Sequence, residues 1–191
     1  MRTDTSGVLW ISSLDSGLIE FNGEWIVHND TVLNGKIIND FHIDGLNEKW
    51  IFTDQGVIRL DRTHTWTEVE KLSKFNTLKG WIDHEDNVWI ATSDQVIKYL
   101  PESDTVSFFK VGGLKSNLVT SVKTDIGGNN WVCTYKGISI YNNNWENIAF
   151  SEIDGSIEQT YVTGIDADSS DNVWLSYYNP IEVSFYNNTS W

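Results

Sequence analysis

Three carboxylates, Asp166, Asp168 and Asp171, fall close together and have the loose spacing of a calcium loop. Such a loop also needs a glycine at its sharp bend and a bidentate glutamate at its end, and this stretch has neither, so no metal is predicted there. The four histidines, His28, His42, His64 and His84, occur singly, with no His-x-His spacing and no cysteine pair beside them. Cys133 sits where other segments carry Ser12, Ala91 and Ser176, which predicts a small buried residue rather than a nucleophile. No Gly-x-Ser-x-Gly elbow, phosphate loop or dinucleotide fingerprint is present, and no cofactor is implied. The chemistry left is recognition without turnover. Tyr135, Tyr177 and Tyr178 could stack on sugar faces, while Asp15, Asp54, Gln55, Asp94, Gln95 and Lys136 could bond to hydroxyls.

The elements that would position these groups follow from one rule, an Asp followed six residues later by a Trp. Five segments obey it: Asp4 and Trp10, Asp44 and Trp50, Asp83 and Trp89, Asp125 and Trp131, Asp168 and Trp174. The intervals between these tryptophans are 40, 39, 42 and 43 residues. Turn formers lie between each Asp and Trp, such as Ser6-Gly7 and Asp86-Asn87, because Asp accepts backbone N–H bonds and Gly or Asn tolerates positive φ. The Trp then opens a short strand with bulky residues at consecutive positions, as in Trp89-Ile90-Ala91-Thr92, which predicts burial on both faces. A second turn, an alternating strand, an aromatic-centred outer strand around Trp25, Trp66, Phe108-Phe109, Trp145 or Trp191, and a last strand leading to the next Asp complete each unit.

Four short strands repeated every 40 residues or so predict an all-β β-propeller with one domain over 1–191, in repeats of about 1–36, 37–77, 78–117, 118–160 and 161–191. The phased tryptophans are then packing between blades. The loops after the Trp strands form the expected binding rim. His42 and Trp81 fall on predicted channel strands, where Trp81 is out of phase with the others.

The pattern Asp-x-x-Gly/Asn-x-φ-Trp-φ-x-Thr/Ser resembles the two-component regulator propeller repeat. The stretches Asp4-Thr5-Ser6-Gly7-Val8-Leu9-Trp10-Ile11-Ser12-Ser13 and Asp83-His84-Glu85-Asp86-Asn87-Val88-Trp89-Ile90-Ala91-Thr92 carry it most fully. Leu114-Lys115-Ser116-Asn117-Leu118-Val119-Thr120-Ser121-Val122 resembles the stretch that introduces such a repeat. The resemblance implies a periplasmic or extracellular sensor module of bacterial hybrid histidine kinases, in many relatives responsive to glycans. A free-standing protein-interaction propeller, and a propeller lyase or glycan-active enzyme with a channel site, are the alternative readings.

Nine residues precede Trp10 and 17 follow Trp174, about 15 short of a full repeat. That deficit predicts a first blade without its innermost strand, or a piece of something longer. An open blade edge of that kind could seek a second copy. Thirteen basic residues against 27 acidic ones give a net charge of −14, which repels nucleic acid and anionic lipid and leaves a small molecule, an oligosaccharide or another protein as the partner. No apolar run reaches the length of a membrane span, and the N-terminal residues have no signal-peptide core.

Overall fold

The structure is a computed structural model that describes residues 1–13, 16–110, 112–116, 118–153, 161–179 and 181–191. The chain is a β-propeller of five antiparallel blades, each ordered from inner to outer strand as the chain runs. Blade 1 holds β1 (Arg2–Thr3), β2 (Leu9–Ser13), β3 (Gly17–Phe21) and β4 (Trp25–His28). Blade 2 holds β5 (Ile38–Ile43), β6 (Lys49–Thr53), β7 (Gly56–Leu60) and β8 (Trp66–Glu68). Blade 3 holds β9 (Thr77–Ile82), β10 (Val88–Thr92), β11 (Val96–Leu100) and β12 (Thr105–Phe109). Blade 4 holds β13 (Val119–Thr124), β14 (Asn130–Thr134), β15 (Gly137–Asn142) and β16 (Asn144–Ile148), and blade 5 holds β17 (Val162–Ala167), β18 (Val173–Tyr177) and β19 (Val183–Tyr186). Two compact units divide the chain, Met1–Gly80 and Trp81–Trp191.

The Asp-to-Trp rule is a hydrogen-bonded clamp. In every repeat the indole N–H donates to the carboxylate of the Asp six residues earlier, to Oδ2 from Trp10 to Asp4 at 3.1 Å, Trp50 to Asp44 at 2.9 Å, Trp89 to Asp83 at 2.7 Å and Trp131 to Asp125 at 2.8 Å, and from Trp174 to the Asp168 side chain. The other carboxylate oxygen accepts backbone N–H groups two and four residues on, as from Ser6 and Val8 or from Ser170 and Asn172. The fourth residue of each turn has positive φ and is Gly7, Asn47, Asp86, Gly128 or Asp171, the residue types that tolerate it at low cost.

Packing between blades has a fixed polarity. In the first unit, Trp10 and Leu18 of blade 1 bury against Phe41, Ile51 and Ile58 of blade 2. In the second unit, Trp89, Ala91 and Val96 of blade 3 meet Val122, Val132 and Tyr141 of blade 4. Trp131, Cys133 and Ile138 of blade 4 then meet Val173, Leu175 and Tyr177 of blade 5. Within each unit the Trp-bearing face of one blade therefore covers the other face of the next. Every residue of β6, β10 and β14 is buried, as the runs of consecutive bulky residues predict.

Three expectations need correction. Blade 1 does have an innermost strand, shortened to Arg2–Thr3 and paired with Trp10 and Leu9, because the turn closed by the Asp4 N–H on the Val8 carbonyl continues directly into a ladder. Among the described residues it is blade 5 that has three strands, with no outermost one paired to β19. There Asn187 closes a turn, its N–H donating to the Ser190 carbonyl, and Trp191 folds back onto Tyr186 and Trp131 without pairing. Trp174 is not core: it is 45% exposed, with its ring tilted against Phe185 of the neighbouring strand. β18 alternates in burial and in β2 only Trp10 is buried, so neither strand is buried throughout.

Candidate functional site

In blades 2, 3 and 4 the turn after the Trp strand is built around a threonine. Thr53 and Thr134 donate through Oγ1 to the carbonyls of Gly56 and Gly137, and Thr92 donates to the Gln95 carbonyl. This geometry spends several of the predicted rim residues on structure. Asp54 accepts the Ile37 N–H at 2.7 Å, and the Gln55 amide donates to the Gly35 carbonyl at 2.7 Å. Asp94 accepts from the Thr92 hydroxyl and pairs with Lys110 at 3.3 Å, on an exposed surface. Gln95 is buried. Asp15 lies outside the described residues.

The aromatic part of the rim separates cleanly. Tyr177 is a correction: it is 2% exposed and packs edge-on against Phe150, because alternation in β18 turns it inward beside Val173 and Leu175. Tyr135 and Tyr178 are 48% and 63% exposed. Between them stands Tyr161. Its ring centroid is 4.9 Å from Tyr135 and 5.2 Å from Tyr178, with interplanar angles of 20° and 14°. The backbone fixes this stack, since Tyr135 N–H donates to the Leu118 carbonyl and Tyr178 N–H to the Tyr161 carbonyl. Lys136 is exposed beside it, held by its own N–H to Thr134 Oγ1. A three-ring tyrosine stack offers apolar π-faces at its ends and hydroxyls along its edge, the mixed surface that a sugar ring matches.

His42 is buried, with its Nε2 against Arg2 Nη2 and its ring edge-on to Phe52. Trp81 is part-buried, and Lys123 Nζ lies 3.7 Å above its ring. Both positions are therefore occupied by interactions of their own. The carboxylates once resembling a calcium loop are also committed. Asp166 pairs with Lys123 at 2.8 Å, Asp168 clamps its turn, and Asp171 accepts the Gly127 N–H at 3.0 Å. Among the described residues no group of three His, Cys, Asp or Glu side chains is arranged to hold a metal ion.

Two clusters escaped sequence reasoning. At the Asp-turn end of blades 3 and 4, Asp83, His84, Glu85, Lys98, Asn130 and Asn142 line a polar cleft of about 370 Å³. In the first unit, Glu20 lies 2.9 Å from His28 Nε2, and His28 stacks between Trp10 and His64 at centroid distances of 5.3 and 5.9 Å. Pairing of β3 with β4 sets Glu20 and His28 on one face, a relationship that spacing alone does not display.

No family model matches the chain, and no curated protein matches it. Solved structures do. An extracellular domain assigned to a hybrid two-component system of B. thetaiotaomicron superposes with a TM-score of 0.75 at 19% identity, over 95% of this chain and 26% of that one. A second such domain from the same organism gives a TM-score of 0.59 at 14% identity, over 98% of this chain and 33% of that one. A virginiamycin B lyase from Staphylococcus aureus gives 0.76 at 10% identity, over 99% and 69%. The chain thus spans about a quarter to a third of the sensor domains it resembles. At these identities the likeness establishes the β-propeller fold.

Proposed function

We propose that the chain is a non-catalytic recognition propeller of the sensor type, acting outside the cytoplasm, and that it takes a neutral oligosaccharide on the Tyr135–Tyr161–Tyr178 stack. The stack is the observation that carries the reading: three aligned rings, exposed at both ends, on an otherwise structural rim. Lys136 and Asn179 flank it as exposed polar side chains. Exposed Asp94 lies at the same end of blade 3. The net charge of −14 favours a neutral ligand over a polyanionic one. Similarity to extracellular domains of two-component systems supports the sensor class and the location. No helix of the described residues is long and apolar enough to cross a membrane.

A lyase reading draws on the likeness to the virginiamycin B lyase fold. Against it, the recurring carboxylates are consumed in indole and backbone bonds. Calorimetric titration with a panel of neutral oligosaccharides, with product analysis of the same mixtures, separates the readings. Tyr178→Ala is expected to weaken binding about tenfold, roughly 1.4 kcal/mol, with no product formed. Binding untouched by both Tyr178→Ala and Tyr135→Ala removes the stack from the site, and any product formed removes the non-catalytic reading.

A further inference from the structure

Lys98 in blade 3 lacks the partner that the equivalent cation has in blade 2. It sits opposite Trp89 on the neighbouring strand, as Arg59 sits opposite Trp50. Each cation lies over its indole, Lys98 Nζ at 5.0 Å and Arg59 Cζ at 5.7 Å from the ring centroid. Arg59 is paired with the carboxylate of Glu48, two residues before Trp50. The residue at that place before Trp89 is Asn87, which has no charge to offer. Its amide donates instead to Asp83 Oδ2 and Glu85 Oε2, both at 3.1 Å. Among the described residues Lys98 therefore has no carboxylate partner, and it stands half-buried in the wall of the cleft of about 370 Å³ at the Asp turns of blades 3 and 4.

The rest of the wall decides what can answer that charge. Glu85 brings an exposed carboxylate, engaged by Asn87 through Oε2. His84 Nε2 lies 2.8 Å from the Asp125 carbonyl, so that nitrogen carries the proton and Nδ1 of the neutral ring is an acceptor. A simple anion would meet Lys98 but face Glu85 and Asp83 as well, and a simple cation would meet the acids but face Lys98. A small zwitterion satisfies both signs with charge-assisted hydrogen bonds. The volume lies at the small end for a ligand site, room for one compact molecule rather than a chain. We propose that this cleft binds a free α-amino acid, its carboxylate on Lys98 and its ammonium on Glu85. The site is separate from the tyrosine stack, because Asn130 in its wall opens β14 and Tyr135 follows the other end of that strand.

Isothermal titration calorimetry of the full chain with each of the common L-amino acids tests this. At least one is expected to bind saturably, and Lys98→Met and Glu85→Gln are each expected to weaken it by about tenfold or more. Lys98→Met keeps an unbranched stem over Trp89, and Glu85→Gln keeps an acceptor for Asn87, while a thermal melt of each checks that it is folded. The hydroxy acid with the same side chain as the bound amino acid is expected to bind more weakly by a similar factor, because it lacks the ammonium. No saturable binding of any amino acid overturns the proposal, as does undiminished binding by either folded variant. Equal binding of the hydroxy acid also overturns it, since the cleft would then read a carboxylate alone.

Discussion

Trp89 donates its indole N–H to Asp83 Oδ2 at 2.7 Å, while Asp83 Oδ1 holds the backbone N–H groups of Glu85 and Asn87 at 3.0 and 2.9 Å. One carboxylate thus ties a turn to the core. Trp89 is fully buried, so Trp89→Ala is expected to cost about 3–5 kcal/mol, the range for an aromatic removed from a packed interior. Tyr178→Ala, on the exposed end of the tyrosine stack, is expected to cost less than about 1 kcal/mol. Urea denaturation of both variants checks the contrast, and equal losses would mean that core and rim are wrongly assigned.

The clamp also sets the response to acid. Burial, the largest influence on Asp4, works to raise its carboxyl, but the Trp10 indole, two backbone N–H groups and Lys49 outweigh it and hold it below the ordinary 3.8. In Asp168 the Asn172 amide leads, again lowering it from 3.8. Carboxylates depressed in the folded state stabilise it above 3.8, and that stabilisation is lost as pH falls through the lowered values. Thermal melts between neutral pH and about pH 2 are expected to show an acid limb that starts near pH 4. The double variant Asp4→Asn with Asp168→Asn is expected to flatten that limb.

Cys133 lies fully buried between blades 4 and 5, and burial pushes its thiol far up. A thiol reagent at neutral pH is therefore expected to leave the native protein unlabelled and to react once denaturant is added. Rapid labelling of folded protein would show that this interface opens.

Gly137 has φ +139°, and a Cβ there would lie 2.2 Å from the Ile148 carbonyl oxygen. Gly137→Ala is expected to destabilise by more than about 1 kcal/mol, because neither the backbone angle nor the neighbouring backbone can yield. A denaturation midpoint within error of wild type would contradict the turn geometry.

The blade architecture was legible because Asp and Trp recur in phase, and each pair acts within its own blade. Cys133 read as buried for the same reason: its position is shared with Ser12, Ala91 and Ser176. Trp174 and Tyr177 were misjudged because a repeat states which side chain packs, not which neighbours each copy meets nor how strand alternation turns the next residue. Tyr161 was missed because its partners, Tyr135 and Tyr178, come from other turns and meet it only when blades 4 and 5 pack. Asp54 and Gln55 looked free in sequence because the carbonyl and N–H groups that engage them belong to Gly35 and Ile37, on the preceding connection.

The turn-to-turn bonds carry a kinetic consequence. Thr5 N–H reaches Asn47 Oδ1 over 42 residues, His84 Nε2 reaches the Asp125 carbonyl over 41, and Gly127 N–H reaches Asp171 over 44. Each clamp closes over only six residues. Loop-closure entropy grows slowly with such short separations, so a blade can nucleate from its own clamp and recruit its neighbour within one repeat length. Within each unit, folding is then expected to spread from blade to blade like a zipper that can start at any clamp, and a blade damaged by mutation is expected to delay its neighbours without erasing them.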